Sequence, residues 1–179
     1  KYLQRINTST LEVVDVVRVP GPSLTDIAFH PDGTLYGVEF SEFLTLDTIT
    51  GFRTLVHTFT DFEAVGLAID YKGLFYLSGQ FKSTLELAII TFNKETGEIR
   101  KIASFLPYDF THLDDLDFYN GSLYAVGLLP STFEKRQALF KVDTITQINH
   151  DTIITYPDVQ AAFSLSSLND SCGSRDLVA

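Results

Sequence analysis

Residues 24–38 read LTDIAFHPDGTLYGV, which is the pattern of two β-strands joined by a tight turn. A short apolar run leads into the turn, where Gly33 can accept the positive φ that a hairpin needs, and the apolar–Tyr pair Leu35–Tyr36 follows. The same pattern returns as AVGLAIDYKGLFYLS at 64–78 and as HLDDLDFYNGSLYAV at 112–126. Self-similarity of this kind predicts a repeat architecture.

A second motif alternates with the first and predicts a second hairpin in each unit. Its Asp or Asn can bond the backbone two residues further on, and a Gly commonly closes the turn. The motif reads INTSTL from Ile6, LDTITG from Leu46, FNKETG from Phe92 and VDTITQ from Val142. The anchor residues Asn7, Asp47, Asn93 and Asp143 are 40, 46 and 50 residues apart, the size of a four-stranded propeller blade.

The sequence therefore predicts an all-β protein, a β-propeller with four-stranded antiparallel blades. The 179 residues form a single domain of three whole blades and two half blades. The repeats cover about 1–20, 24–59, 64–106, 112–156 and 161–179. The two half blades add up to one, so the alternatives are a closed four-bladed ring and a sector of a larger ring; the half blades at both ends favour the sector.

Charge and composition exclude some functions. The net charge of −10 and the pI near 4.6 predict that the chain does not bind nucleic acid, which needs a basic surface. No apolar run is long enough for membrane insertion. The single cysteine, Cys172, excludes an internal disulfide, and its role as a free thiol or an intermolecular partner stays open. The chain has no Met, so we expect further domains in a larger parent chain.

The order of a strand, PDG, LYGV, a variable connection and LDTITG resembles the blade repeats of bacterial secreted and cell-surface multidomain proteins of the gliding or adhesion type. The resemblance covers nearly the whole chain and implies an extracellular or cell-surface location. It implies a fold rather than one activity, because such propellers serve as adhesion modules, scaffolds, sugar binders and hydrolases. The tail LNDSCGSRDLVA at 168–179 departs from the repeat.

Acidic residues are expected near the axis of the ring and in the connections of one face. Asp26, Asp114 and Asp115 lie at the starts of the first strands of their units, where a ring of carboxylates could hold Ca²⁺. The alternative is that each Asp bonds nearby backbone and needs no metal. No other cofactor is predicted.

A ligand-binding face is expected where the fourth strand of one unit connects to the first strand of the next. The predicted ligand-binding residues there and in a neighbouring loop are Asp61, Phe62, Tyr108, Asp109, Phe110 and Phe133. Their rings could stack on a sugar or contact a protein, or they could pack between blades. His112, beside two carboxylates, is the one candidate acid–base group if the chain has chemistry.

The length of one connection favours binding over catalysis. The span from the first turn to the second motif grows from 14 residues (33–47) to 20 (73–93) and 22 (121–143), whereas the hairpin turns stay nearly constant. Variable loops on a constant scaffold are typical of binding surfaces. The sequence favours a non-catalytic interaction or adhesion module with a protein or carbohydrate ligand. The alternatives are a calcium-dependent hydrolase or lactonase-like propeller, and a purely structural array.

Overall fold

The structure is a computed structural model that describes residues 1–105, 111–129, 136–142 and 150–156. The described residues form strands and turns, without a helix. The strands are β1 (Tyr2–Ile6), β2 (Val13–Arg18), β3 (Asp26–Phe29), β4 (Leu35–Glu39), β5 (Glu42–Leu46), β6 (Arg53–Thr58), β7 (Phe62–Ile69), β8 (Phe75–Phe81), β9 (Leu87–Phe92), β10 (Ile99–Phe105), β11 (His112–Tyr119), β12 (Ser122–Leu129), β13 (Arg136–Val142) and β14 (His150–Tyr156).

These strands form four antiparallel sheets in chain order. Sheet 1 contains β1 and β2, and sheets 2, 3 and 4 contain β3–β6, β7–β10 and β11–β14. In each four-stranded sheet every strand pairs with the strand that precedes or follows it in the chain. The predicted four-stranded antiparallel unit is therefore confirmed. The predicted last unit, 161–179, lies outside the described residues.

In sheets 1, 2 and 3 the second hairpin is closed by the side chain of Asn7, Asp47 or Asn93, as the motif predicts, and Asp143 lies outside the described residues. In sheet 2, Asp47 Oδ1 accepts hydrogen bonds from the backbone N–H groups of Ile49 and Thr50, each at 2.8 Å. These bonds lower the pKa of Asp47. Gly51 follows with a φ of 73° and donates its N–H to the carbonyl of Asp47. The turn thus needs both a side-chain acceptor and a residue that tolerates left-handed backbone.

Leu11 and Leu85 occupy the position that Gly51 holds. Each has a φ of 58° and donates its N–H to the carbonyl four residues earlier, as Gly51 does. Left-handed backbone is unfavourable for a leucine, because its Cβ crowds the following carbonyl. The five-residue turn thus recurs even where glycine is missing. The turn that contains Leu85 lies between β8 and β9, where the sequence predicts only a variable connection.

The sheets pack through apolar residues that alternate along their strands. The contact between sheets 2 and 3 is rich in aromatic rings: Phe43 lies 5.0 Å from Phe75 and 5.1 Å from Phe92, centroid to centroid. Sheets 3 and 4 pack through a second cluster that includes Tyr76 and Leu116. Fully burying one such side chain contributes roughly 1.5–3 kcal/mol. These two clusters hold the three four-stranded sheets together.

No helix in the described part of the chain is long and apolar enough to span a membrane.

Candidate functional site

One end of sheet 3 is organised by a carboxylate from the connection between sheets. Asp61, just before β7, accepts hydrogen bonds from Ser83 through both oxygens, at 2.8 Å from the backbone N–H and at 2.7 Å from the hydroxyl. Its own carbonyl accepts the N–H of Lys82 at 2.8 Å. Asp61 therefore ties the connection between sheets to the β8–β9 loop. The connection between sheets 2 and 3 and the β8–β9 loop therefore lie at the same end of sheet 3.

The role of Asp61 follows from the residue that starts the β8–β9 turn. In the related turn at 47–51, the first residue is Asp47, whose carboxylate accepts the N–H two positions on. In the β8–β9 turn that first residue is Phe81, whose side chain has no hydrogen-bond acceptor. Asp61 supplies the missing carboxylate to Ser83, the residue two positions after Phe81. The STL letters shared by 9–11 and 83–85 were the signal that could have revealed this turn.

The corresponding loop of sheet 2 is shorter and lies beside the first. Residues 40–41 join β4 to β5, and Lys82 Nζ lies 3.1 Å from Ser41 Oγ. Phe40 is exposed, has a φ of 49° and accepts the N–H of Ala64 through its carbonyl. The adjoining connections of sheets 2 and 3 thus form one surface, here called the loop face, made of Phe40, Ser41, Asp61 and 82–85.

The length of the β-strand connections at this end increases along the chain. Residues 40–41 join β4 to β5, 82–86 join β8 to β9, and 130–135 join β12 to β13. The first two strands are joined by residues 30–34 in sheet 2, 70–74 in sheet 3 and 120–121 in sheet 4. The connections therefore vary in length between the first two strands as well as between the second and third strands.

Two of the predicted acidic residues come together where the first strands meet. Asp26 Oδ2 of β3 accepts the backbone N–H of Leu67 in β7 at 2.6 Å, which links sheets 2 and 3. The Asp26 carboxyl also hydrogen bonds with the Asp115 side chain of β11. Burial, together with the neighbouring Asp115, raises the pKa of Asp26 to about 9. Asp26 thus favours its neutral form, and its carboxyl O–H can donate a hydrogen bond to Asp115.

A glycine makes room for this pair. Asp26, Gly66 and Asp115 are equivalent in the first strands, because each pairs with the residue two places after the Tyr of the second strand. A Cβ on Gly66 would lie 2.5 Å from Ser78 Oγ and 3.0 Å from the Cα of Asp115. The buried Ser78 hydroxyl accepts the N–H of Gly66 at 3.0 Å. The absent side chain therefore lets β11, which carries Asp115, pack closely against β7.

The other predicted site residues are placed as follows. Phe62 is fully buried and packs edge-on against Phe81, so its ring belongs to the core and not to the loop face. His112 is exposed at the start of β11, and Asp114 is the extra residue of a bulge in that strand. Tyr108, Asp109, Phe110 and Phe133 lie outside the described residues. Within the described ranges no three His, Cys, Asp or Glu side chains are grouped to hold a metal ion.

Three successive four-stranded antiparallel sheets, each packed on the next, define a β-propeller-type repeat protein, with a two-stranded sheet before them. No protein-family model and no curated protein sequence matches the chain.

Solved structures match the fold. TolB from Acinetobacter baumannii, a propeller protein, superposes with a TM-score of 0.55 and 13% identity over 92% of this chain and 40% of the TolB chain. A protein of unknown function from Bacteroides caccae superposes with a TM-score of 0.50 and 16% identity. The match covers 93% of this chain and 58% of that protein. A chain of the mitotic checkpoint complex superposes with a TM-score of 0.49 and 11% identity. The match covers 86% of this chain and 45% of that chain. The chain spans less than two thirds of each, and at such identities the likeness concerns the fold alone.

Proposed function

We propose that this chain is a non-catalytic protein-interaction module that binds its partner through the loop face. The observation that carries the proposal is the construction of this surface. Asp61 and Lys82 hold two connections from different sheets together, so that the exposed side chains between them are presented in a defined arrangement. Functional surfaces are commonly loops positioned by a rigid scaffold.

The chemistry of the loop face suits a protein ligand better than a sugar. Phe40 and Leu85 are large, apolar and exposed, and polar groups of Lys82, Asp61 and Ser83 lie beside them. Apolar anchors with a polar surround are the usual composition of a protein–protein contact. A ring stacked on a sugar would have to be exposed, and Phe62, one of the rings predicted for that purpose, is in the core.

The setting of the module is part of the same proposal. The repeat resembles that of bacterial secreted and cell-surface proteins, and the likeness to TolB supports the propeller fold. We therefore place the module in an extracellular or cell-surface protein, where adhesion is its role. The net charge of −10 argues against nucleic acid as the partner.

Site-directed photocrosslinking tests the proposal. A photoreactive phenylalanine analogue replaces Phe40 in the full chain, and the matched control carries it at Ile49, an exposed turn residue at the opposite end of sheet 2. The probe is an extract of cell-surface proteins. A discrete adduct from position 40 and none from position 49 is the expected result, and the purified partner should then bind Phe40→Asp at least about tenfold more weakly than Ile49→Asp. Equal labelling at both positions would contradict the proposal.

Calcium binding and the hydrolase alternative remain predictions of the sequence. Asp26, Asp114 and Asp115 would be the ligands, and a calcium ligand set requires ionised carboxylates, which the raised pKa of Asp26 opposes. Calorimetric titration of metal-stripped protein with Ca²⁺ tests them. A heat of Ca²⁺ binding that the unsubstituted protein shows and Asp115→Asn does not would support the calcium site. No heat of binding and an unchanged melting temperature in the unsubstituted protein would rule the calcium site out.

A further inference from the structure

The turn between β11 and β12 consists of Asn120 and Gly121. Their φ angles are 49° and 71°, and the flanking residues Tyr119 and Ser122 pair with each other. Two successive left-handed residues form a tight hairpin turn that asparagine followed by glycine adopts readily. Both turn residues are exposed. The turn therefore presents a carboxamide side chain and the backbone nitrogen of the next residue to solvent together.

Neither the Asn120 carboxamide nor the Gly121 N–H has a hydrogen-bond partner among the described residues. The glycine of the corresponding turn in sheet 2 differs, because Gly33 donates its N–H to the carbonyl of His30 at 2.9 Å. A Cβ added at Gly121 would meet no heavy atom within 4 Å. The nitrogen of Gly121 is therefore unhindered as well as free of a hydrogen bond.

The two other asparagines that the structure describes, Asn7 and Asn93, are held in place. Each Oδ1 accepts the backbone N–H groups two and three positions further on, at 2.9 and 3.2 Å. The residues that follow them are Thr8 and Lys94, whose side chains hinder approach to their own backbone nitrogens. Asn7 and Asn93 are thus internal references of the same residue type.

One aspartate in the sequence is also followed by glycine, at Asp32. Its Oδ1 accepts the N–H of Thr34 at 2.8 Å, and its Oδ2 lies 2.9 Å from Nδ1 of His30. The bond from Thr34, helped by His30, lowers the pKa of Asp32 to about 2. The side chain is therefore an ionised carboxylate, which resists attack by a nucleophile, whereas the Asn120 carboxamide is neutral.

We propose that Asn120 and Gly121 form a self-modification site, at which the asparagine deamidates without an enzyme to aspartate and isoaspartate. The Gly121 nitrogen attacks Cγ of Asn120 and loses its proton to solvent. The bond from Cγ to the side-chain nitrogen breaks, and that nitrogen takes up a proton and leaves as ammonia. Water then opens the succinimide ring at either carbonyl, which gives an ordinary aspartate or a β-linked isoaspartate. Water is the only co-reactant, and nothing is oxidised or reduced.

The modification changes both the charge and the backbone of the hairpin. Each event adds a carboxylate to a chain whose net charge is already −10. Isoaspartate also inserts an extra carbon into a turn of two residues, so Tyr119 and Ser122 lose their register. Tyr119 packs edge-on against Tyr124 at 6.4 Å, centroid to centroid, and this end of sheet 4 should open. The β11–β12 turn is separate from the loop face.

Incubation of the folded full chain at mildly alkaline pH, followed by proteolysis and mass spectrometry, tests the proposal. Asn120 should deamidate at least about tenfold faster than Asn7 or Asn93, because each of those must first give up two hydrogen bonds. Fragmentation that distinguishes β-linked from ordinary aspartate should find isoaspartate at position 120. Direct hydrolysis of the side chain cannot produce isoaspartate, so this product reports attack by the Gly121 nitrogen.

Gly121→Ala tests the nucleophile. The added methyl group hinders the nitrogen, so the rate at Asn120 should fall to that at Asn93, while the rates at Asn7 and Asn93 stay unchanged. If Gly121→Ala does not fold, the comparison of the three asparagines within the unsubstituted chain still decides. Equal rates at the three asparagines, aspartate without isoaspartate, or an unchanged rate at Asn120 in folded Gly121→Ala would overturn the proposal.

Discussion

Gly51 and Gly121 share a left-handed backbone conformation but differ in their surroundings. Their φ angles are 73° and 71°, so an alanine meets nearly the same conformational strain at both. At Gly121 an added Cβ has no heavy atom within 4 Å, whereas at Gly51 it would lie 2.2 Å from the carbonyl oxygen of Arg18 and 3.0 Å from Val17 Cγ1. The pair therefore separates strain from steric clash.

The magnitudes follow from these two contributions. Left-handed backbone costs an L-residue roughly 1–2 kcal/mol, and alanine recovers about 0.4–1 kcal/mol by restricting the unfolded chain. Gly121→Ala should thus destabilise by about 1 kcal/mol. Gly51→Ala carries the same strain and must also displace the end of β2, which adds about 1–3 kcal/mol.

Urea denaturation of the full chain, followed by circular dichroism and tyrosine fluorescence, measures both values, since the chain has no Trp. The free energy of unfolding should be highest for the wild type, about 1 kcal/mol lower for Gly121→Ala, and lower still for Gly51→Ala. Equal losses for the two variants would refute the contact between the β5–β6 turn and β2, and with it the packing of sheet 1 on sheet 2.

Three further predictions concern the turns and the carboxylates. Leu11→Gly should stabilise by about 0.5 kcal/mol in the same urea assay, because relief of left-handed strain exceeds the entropy that glycine adds; a loss would contradict the assigned turn. Asp26 has a pKa of about 9 against an ordinary 3.8, so the folded state holds its proton more tightly than the unfolded chain; the stability this contributes is present below about pH 4 and is lost as pH rises through 9. Asp26→Asn should flatten that slope, and an unchanged slope would assign it to another group. Asp61→Ala should speed hydrogen exchange of the Ser83 amide with little change in the β7–β8 ladder, and unchanged exchange at Ser83 would remove Asp61 as its acceptor.

The sequence was sufficient for the features that depend on neighbouring residues. Alternation along 24–38, a glycine where positive φ is needed and the Asp47 side chain that bonds two residues on are all local, and each predicted hairpin in the described residues follows from them. Repetition of that local pattern at intervals near 45 residues then predicted four-stranded sheets, because the same local preferences recur in every unit.

The tertiary structure decided which side chains meet. The sequence predicts that Phe62 lies in a ligand-binding loop, but the packing of sheet 3 places its ring in the core. Asp26 lies in sheet 2 and Asp115 in sheet 4, and their side chains meet across sheet 3, where Gly66 lets the backbone of Asp115 approach closely. Asp61 acts on Ser83, 22 residues away. Such contacts depend on how the sheets stack in space. The alternation of residues along one strand does not predict which side chain of the next sheet will contact it.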